Sequence, residues 1–493
     1  MGHWRAMSLF MARLLVFGSS AAVLVLEILA GRLMAPYVGV SLETFTGIIG
    51  VVLAGIASGS WFGGRTADRT SDPHRLLSPA LVVSGVLALA IPTVVDGLGP
   101  SMRAAGPLEI VALTTAAFFL PSFFLSAIPP LVVKLRLQSL DETGKVVGSL
   151  SAVSTWGALW GTFVTGFIFV AAFPTRPIVI GVGVLLVLWG VALGGANMTR
   201  GRRLGVVALA LFAGANLAAA PGPCQWQTTY FCASIEPDPT NEGGRILWLD
   251  TLRHSYVDAD DPTYLYFRYT RGIADVIALA PEGAISAGFL GGGAFTLPTY
   301  LLATRPGSTA TVFEIDGALV DLVRREFGVE ESEVLRVRVG DGRLALPEEP
   351  AGAFDVLVGD AFGGLSVPWH LTTREFLGEV QRVLAPGGIY VANVIDYPPQ
   401  GFVRAEAATF LDVFAHVAVM APARYLQGDL GGNFVLVGSD APIDVERLQA
   451  LADARGDLDV VWGGEAARAF AGDARVLRDD FAPVDQLLGR PTY

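Results

Sequence analysis

A glycine triplet and an acidic residue in the C-terminal half have the types and the spacing that a nucleoside site needs. Gly291, Gly292 and Gly293 follow the apolar run AISAGFL, and Glu314 ends the next apolar run in VFEID. Glycines let the backbone turn sharply and approach a ligand closely. An acid about 20 residues after such a turn is placed to accept hydrogen bonds from ribose hydroxyls. The two motifs therefore predict a site for a ribose-bearing ligand.

Two further carboxylates come at the ends of later apolar runs. Asp341 and Gly342 follow VLRVRVG without a break, and Asp360 follows VLVG. Asp341 is placed to receive the amino group of an adenine. Taken singly, each of these motifs is typical of a structural cap or turn. Together, and in this order, they predict an adenosyl ligand.

The segments around the motifs predict an α/β domain. From Arg245 onward, RILWLD and HSYVD alternate in polarity as a small β-hairpin does, and short apolar runs then alternate with helical patterns. Alternating strands and helices are typical of a parallel doubly wound sheet with helices on both faces. Ligands bind such sheets at the carboxyl ends of the strands, where these motifs fall. The predicted fold of this half is Rossmann-like α/β, of the adenosylmethionine-dependent methyltransferase type, with a small N-terminal β-hairpin.

With the PGG turn at Pro386 to Gly388, the C-terminal half resembles the spermidine synthases, which are polyamine aminopropyltransferases. The resemblance covers roughly residues 245–440, with RILWLDTLRHSYVD, GFLGGGAF, FEID, VGDG and LVGDAF in the family's order. The chain is most similar to the membrane-fused members of the family. The segments HSYVDADDPTYL and DDFAPVDQLL belong to this closer resemblance.

The resemblance implies a reaction and a set of site residues. Its reaction moves an aminopropyl group from decarboxylated S-adenosylmethionine to an amine and releases methylthioadenosine. That nucleoside, or S-adenosylmethionine itself, would be a co-substrate and not a permanently bound cofactor. Asp360 matches the family's proton acceptor, and Glu314, Asp341 and Gly342 match positions that hold the nucleoside. His254 stands in place of a glutamine, either as a polar contact at the pocket mouth or as a hydrogen-bonded histidine of the hairpin.

Further departures from the family's pattern keep other functions open. The family's Tyr-His-Glu segment falls near Leu265-Tyr266-Phe267. The acid that grips the aminopropyl amine in the family is Ala294 here, and a second acid of the catalytic loop is Gly363. A diamine such as putrescine needs carboxylates to replace its water. The first hypothesis is an aminopropyltransferase-like transferase. The alternative is a catalytically degenerate nucleoside-binding module coupled to a transport or sensing bundle, and methyl transfer is a third hypothesis on the same fold.

Aromatic residues flank the predicted site in two segments. Tyr264, Tyr266 and Tyr269 are expected to pack a helix rather than to stack on a ligand. Trp369 and His370 follow the catalytic loop, where the resemblance implies a flexible gate. They are therefore candidates for lid residues.

The N-terminal half is too poor in charge for an ordinary soluble domain. The chain is 52% hydrophobic and 16% charged, and charged residues are sparse up to about residue 235. Because about 20 apolar residues span a bilayer, a first stretch at 14–36 and the later charge-free intervals predict about seven membrane spans. Those intervals run 44–64, 77–95, 110–133, 146–175, 177–199 and 204–235. The predicted division is a transmembrane helix bundle over residues 1–220 and a nucleoside-binding domain over residues 221–493.

Positive charges predict how the bundle is oriented in the plasma membrane. One set of loops holds Arg5, Arg13, Arg65, Arg69, Arg75, Lys134, Arg136, Lys145, Arg200, Arg202 and Arg203, and the other set holds Arg103 and Arg176. This alternation predicts a cytoplasmic N-terminus. Seven spans then predict a C-terminal domain outside the cell, although decarboxylated S-adenosylmethionine is made in the cytoplasm. The net charge of −12, with no long basic run, argues against a nucleic-acid partner.

The two cysteines of the chain, Cys224 and Cys232, follow the last predicted span in PCQWQTTYFCAS. In an extended segment they could meet across a tight hairpin. A disulfide would fit an oxidising compartment, and the alternative is two unrelated buried thiols. No metal site is predicted, because no nearby His or Cys completes four zinc ligands. The expected partners are a small nucleoside, an amine and the lipid bilayer, and a homo-oligomer stays open.

Overall fold

A computed structural model describes residues 7–102, 106–137, 139–194 and 199–490 of the chain. The chain divides into two compact units, residues 1–227 and 228–493. A two-residue strand, β1 (Trp226–Gln227), ends the first unit. Cys224 and Cys232, on the segment that leads from one unit to the next, are disulfide-bonded.

The first unit is helical. Six of its helices are long and apolar enough to cross a membrane by length and composition, with mean hydropathies from 1.3 to 2.2 over their most apolar windows. They are α1 (Leu9–Val38), α2 (Leu42–Arg69), α3 (His74–Met102), α4 (Pro107–Arg136), α5 (Thr143–Phe169) and α6 (Thr175–Leu193). Short helical turns lie at Leu140–Glu142 and Val170–Ala172. The predicted N-terminal helical region is confirmed.

The prediction of about seven spans is corrected to six long apolar helices. The next helix, α7, spans Arg200–Ala219, and its apolar part is the shorter stretch Arg203–Ala219. At about 1.5 Å per residue such a stretch reaches about 26 Å, at the short end of what can span the ~30 Å hydrocarbon core. The charge-free interval predicted too long a span, because it continues past the end of the helix into extended chain. Of the residues used for orientation, Arg5, Arg103 and the side chain of Arg202 lie outside the described residues.

Small residues let the helices of the first unit approach closely. On α5, a Cβ added at Gly157 would lie 2.2 Å from the backbone oxygen of Phe17 in α1, and Gly161 meets the α1 backbone one turn later. On α2, Gly59 and Gly63 face the α4 backbone in the same way. Packing through small residues is typical of helices associated in membranes, so these contacts agree with the apolar composition.

The second unit begins with a small antiparallel sheet. Its strands are β2 (Cys232–Pro237), β3 (Gly244–Leu249) and β4 (Leu252–Asp258). β3 and β4 form the predicted hairpin and pair antiparallel. β2 pairs antiparallel with β3, and no alternation in the sequence had pointed to it.

An eight-stranded sheet forms the centre of the second unit, in the order β12-β10-β11-β9-β8-β5-β6-β7. Its strands are β5 (Ser286–Leu290), β6 (Thr309–Glu314), β7 (Leu335–Val339), β8 (Phe354–Gly359), β9 (Leu384–Asp396), β10 (His416–Pro422), β11 (Gly432–Ser439) and β12 (Asp459–Gly463). Strands β5 to β9 are parallel to their neighbours in this set. β10, β11 and β12 join antiparallel at one edge.

Helices connect these strands. They are α8 (Arg268–Ile277), α9 (Thr296–Thr304), α10 (Gly317–Phe327), α11 (Gly342–Ala345), α12 (Arg374–Val383), α13 (Gly401–Val413), α14 (Ala423–Leu426), α15 (Val445–Ala454), α16 (Gly464–Ala471) and α17 (Val484–Leu487). Strand order reverses between β5 and β8, so the loops after these two strands open a crevice at their carboxyl ends. The second unit is a Rossmann-like α/β domain with a small antiparallel sheet, as predicted.

Candidate active site

The glycine loop after β5 occupies space that no other residue could fill. Gly291 has φ 93° and Gly293 has φ 50°, and both lie in the left-handed region that favours glycine. A Cβ on Gly291 would lie 2.3 Å from the backbone oxygen of Asp360, and one on Gly293 would lie 2.5 Å from Oγ of Ser255. At Gly292 an added Cβ would lie 3.0 Å from the ring of Phe295. The triplet thus brings β5, β8 and the small sheet into close contact.

Glu314, at the end of β6, holds this loop in place. Its Oε2 accepts the backbone N–H of Gly292 at 2.8 Å, and its Oε1 accepts that of Asp316 at 2.9 Å. Burial raises the pKa of the Glu314 carboxyl, and the two backbone N–H groups oppose that rise. Each carboxylate oxygen has a second lone pair, so the side chain can still accept hydrogen bonds from a ligand.

Asp341 and Gly342 follow β7. Asp341 caps α11 by accepting the N–H of Arg343 at its Oδ1 at 2.8 Å, and its Oδ2 lies 3.1 Å from Nε2 of His370. A Cβ on Gly342 would lie 2.9 Å from Leu290, which explains the glycine there. The candidate lid residue His370 therefore contacts the acid that was predicted to receive an adenine amino group.

Asp360 follows β8 and has two side-chain partners. Its Oδ1 accepts Nδ2 of Asn393 at 2.8 Å, and its Oδ2 accepts the hydroxyl of Tyr269 at 3.3 Å. Burial raises the pKa of Asp360 to about 6, although both hydrogen bonds favour the charged form and oppose the rise. A carboxyl with this pKa is mostly ionised at neutral pH and can accept a proton near its own pKa.

His254 comes from β4 of the small sheet. Its Nδ1 lies 3.1 Å from Oγ of Ser255, which also accepts the backbone N–H of Ala294 at 3.1 Å. Burial lowers the pKa of His254 to about 4, so the ring is neutral at physiological pH. The histidine is hydrogen-bonded within the hairpin and also faces the crevice.

Two adjoining clefts open at this crevice and share Gly291, Gly293, His254 and Asp360 in their walls. The larger cleft has about 620 Å³ of empty space, including its open mouth. Its other walls include Glu314, Ile315, Asp341, Gly342 and His370. The smaller cleft has about 410 Å³ of empty space, again including its open mouth. Its other walls include Gly292, Tyr256, Phe267, Tyr269, Thr270, Thr296 and Leu297.

The structure thus brings all eight predicted site residues to the walls of these two clefts. The two positions that lack the family's acids, Ala294 and Gly363, do not line either cleft. Ala294 is buried, and Gly363 lies on an exposed loop where its N–H donates to the backbone oxygen of Ser366 at 2.9 Å. The functional roles of the predicted residues stay predictions.

Sequence reasoning missed two residues that hold Asp360. Tyr269 was expected to pack its helix, yet its hydroxyl contacts the carboxylate. Asn393 was overlooked within the apolar strand GGIYVANVI, where it is 2% exposed and also accepts Nδ2 of Asn433 at 2.9 Å. An amide in the middle of a buried strand was the available signal, since a buried polar side chain needs partners.

Comparisons with known proteins find relatives of part of the chain. No family model matches the chain. A polyamine aminopropyltransferase of Vibrio vulnificus is 32% identical over 163 residues, which are 32% of this chain and 52% of that protein. The chain thus spans about half the length of this curated relative. An eEF1A lysine and N-terminal methyltransferase of Bos taurus is 29% identical over 117 residues, 22% of this chain and 16% of that protein.

Similar solved structures include spermidine synthases. A probable spermidine synthase of Corynebacterium glutamicum is 29% identical, with a TM-score of 0.49, over 52% of this chain and 97% of that one. Another spermidine synthase, solved in complex with the transition-state analogue AdoDATO, is 15% identical, with a TM-score of 0.36, over 52% of this chain and 81% of that one. By its sequence similarity to the aminopropyltransferases, the C-terminal half of this chain is a spermidine synthase-like domain, joined to an N-terminal apolar helical region.

Proposed function

We propose that the chain is a membrane-bound aminopropyltransferase that takes decarboxylated S-adenosylmethionine and an amine as substrates. The amine nitrogen attacks the propyl carbon bonded to the sulfonium. A C–N bond forms, the C–S bond breaks, and its electron pair goes to sulfur, which leaves as neutral methylthioadenosine. The attacking nitrogen then loses one proton to a base. The protein has to hold the nucleoside, orient the amine and accept that proton.

The observation that carries this proposal is the position of Asp360 in the wall shared by the two clefts. Nucleoside and amine in adjoining clefts would both reach its carboxylate. Its hydrogen bonds from Asn393 and Tyr269 fix its orientation, and a pKa of about 6 suits a base that works at neutral pH. General bases so placed contribute about 10²- to 10⁴-fold in rate.

The larger cleft would hold the nucleoside. Glu314 would accept hydrogen bonds from the ribose hydroxyls, and Asp341 would accept one from the adenine amino group. The glycines from Gly291 to Gly293 would let the backbone approach the ligand. Gly342 would keep the wall close beside Leu290. His254 would be a neutral polar contact where the two clefts meet.

We also propose that residues 1–220 form a bundle in the plasma membrane and that residues 221–493 form the nucleoside-binding domain. Six crossings return the chain to the side of the N-terminus, whereas a seventh by α7 places the domain on the opposite side. The disulfide of Cys224 with Cys232 favours the extracytoplasmic side, since such bonds persist in oxidising compartments. With a cytoplasmic N-terminus, that side requires α7 to cross as a seventh, short span. A reporter fused after the last residue, read together with thiol labelling with and without reductant, tests this. An active cytoplasmic reporter with freely labelled thiols would contradict it.

The test of the reaction is product analysis with the purified full chain in detergent. Decarboxylated S-adenosylmethionine and an amine should yield methylthioadenosine, and Asp360→Asn should lower that yield at least about 100-fold. Asp473→Asn is the matched control, because Asp473 is exposed and lies outside both clefts. Unchanged turnover in Asp360→Asn would contradict the assignment.

The same assay separates the two other hypotheses. Methyl transfer, which the similarity to the Bos taurus methyltransferase favours, would consume S-adenosylmethionine and release S-adenosylhomocysteine. A degenerate binding module, which the absent acids at Ala294 and Gly363 favour, would bind methylthioadenosine and turn over neither nucleoside.

A further inference from the structure

We propose that the acceptor of this enzyme is a monoamine with a compact apolar tail, and that diamines are poor acceptors. The proposal deepens the proposed function and rests on it, because it assigns the smaller cleft to the amine. Its evidence is the charge, the hydrogen bonding and the apolar character of the smaller cleft's walls.

The smaller cleft can neutralise one cation. Among the described residues in its walls, Asp360 is the only Asp or Glu, and none is Lys or Arg. His254 is neutral at physiological pH, because burial lowers its pKa to about 4. Asp360 would face the ammonium or amine nitrogen that reacts. A second ammonium on the same molecule would therefore lose its water without meeting a second negative charge.

The other polar groups of the smaller cleft already have partners. Thr296 and Thr270 donate their hydroxyls to backbone oxygens at 2.9 and 2.7 Å. Ser255 accepts a backbone N–H at 3.1 Å, and the hydroxyl of Tyr256 donates to Asp238 at 3.0 Å. Their hydroxyl oxygens keep lone pairs that can accept from an ammonium, but none of these groups carries the negative charge that would balance a second one. Burying an unpaired charge is among the most costly events in a protein interior.

The remaining walls suit an apolar tail. Phe267 and Tyr269 lie with ring centroids 5.9 Å apart and nearly parallel, and Phe289, Leu297 and Val358 also line the smaller cleft. Removing an alkyl tail from water against such walls is favourable, at roughly 25 cal/mol per Å² of apolar surface. Burial against these walls would therefore favour binding of a monoamine's tail and disfavour binding of a second ammonium.

The test compares 1-aminobutane with 1,4-diaminobutane, which differ only in the second amino group. With the full chain in detergent and decarboxylated S-adenosylmethionine, kcat/KM for methylthioadenosine release should favour 1-aminobutane by at least about tenfold. Binding of the same two amines to the protein saturated with methylthioadenosine, measured by calorimetry, should show the same order. This second measurement needs no turnover.

The outcomes separate the two proposals. One outcome is that neither amine yields methylthioadenosine while 1-aminobutane still binds more tightly to the methylthioadenosine complex. In that case the proposed function fails, and the preference of the smaller cleft for a monoamine stands. If 1,4-diaminobutane is used or bound as well as 1-aminobutane, or if neither amine binds the complex, the acceptor class is overturned.

A charge variant adds a test within the same cleft. Thr296→Asp would place a second carboxylate in the wall of the smaller cleft, and it should shift the preference towards 1,4-diaminobutane by about tenfold. Thr296→Asn has nearly the same shape without the charge and should keep the wild-type preference. An equal shift in both variants would contradict the charge argument. If the aspartate variant fails to fold, the wild-type comparison of the two amines still decides.

Discussion

The two clefts of the C-terminal domain share one wall and differ in what the rest of their walls carry. The larger cleft has three carboxylates, those of Glu314, Asp341 and the shared Asp360, at the ends of successive parallel strands. The smaller cleft has Asp360 alone, with aromatic and aliphatic side chains around it. The larger cleft thus keeps the groups that a nucleoside needs, whereas the smaller cleft is built for a ligand with little charge.

This difference separates two requirements that a transferase of this kind has to meet. The groups that would hold a nucleoside lie at strand ends, where the sheet fixes their positions. The walls of the smaller cleft come from β4, α8 and α9 as well, away from the strand ends that carry Glu314 and Asp341. Acceptor preference can therefore change while nucleoside binding is retained.

The largest effect is expected at Asp360, the carboxylate that both clefts share. Asp360→Asn should lower turnover at least about 100-fold, because the variant lacks the base. Methylthioadenosine affinity should change by less than about threefold, because Glu314 and Asp341 remain in the larger cleft. Turnover assays and calorimetry check the two parts. A variant that lost nucleoside binding and turnover in equal measure would show that Asp360 acts mainly in binding.

A second variant weakens the larger cleft alone. Asp341→Asn should weaken methylthioadenosine binding about tenfold, since a hydrogen bond to a charged group contributes about 1.5–3 kcal/mol. The amide oxygen can still cap α11, so the fold should be retained. Calorimetry measures the affinity, with Asp473→Asn as the exposed control. An unchanged affinity would show that Asp341 serves only as the helix cap and as the partner of His370.

The smallest effect is expected at Tyr269. Its hydroxyl lies 3.3 Å from Asp360, the longer of the two contacts to that carboxylate. Tyr269→Phe keeps the ring in the smaller cleft and removes this hydrogen bond, so turnover should fall by about threefold to tenfold. The preference between 1-aminobutane and 1,4-diaminobutane should stay unchanged, because the charge of the cleft is unchanged. A reversal of that preference would contradict the inference that the hydroxyl of Tyr269 orients the base and does not set the preference between the two amines.

Much of this architecture could be predicted from local sequence patterns. The alternation of strands and helices predicted the sheet, and an acid or glycine after an apolar run predicted a strand end facing the crevice. The extent of α7 could not be predicted, because absence of charge does not separate helix from extended chain. Tyr269 and Asn393 were missed because they lie 91 and 33 residues from Asp360 in the chain. Only the folded sheet brings their side chains to that carboxylate.

The most direct test of Asp360 as the base that serves both clefts is the pH dependence of kcat/KM for methylthioadenosine release. Burial raises the pKa of this carboxyl to about 6, and the ionised form accepts the proton. Activity should therefore rise as pH increases through about 6. An alkylamine titrates at about pH 10 and attacks only as the neutral amine, so kcat/KM is expressed per concentration of neutral amine.

The measurement is best made on the wild type and on Asn393→Ala side by side. The hydrogen bond from Asn393 favours the ionised carboxyl, so its removal should raise the pKa of Asp360 and move the rising limb of the pH profile to higher pH. A limb near pH 6 in the wild type that moves upward in the variant is the result we predict. A wild-type profile that is flat from pH 5 to about 8, or a limb that stays in place in Asn393→Ala, would contradict the assignment of Asp360 as the base.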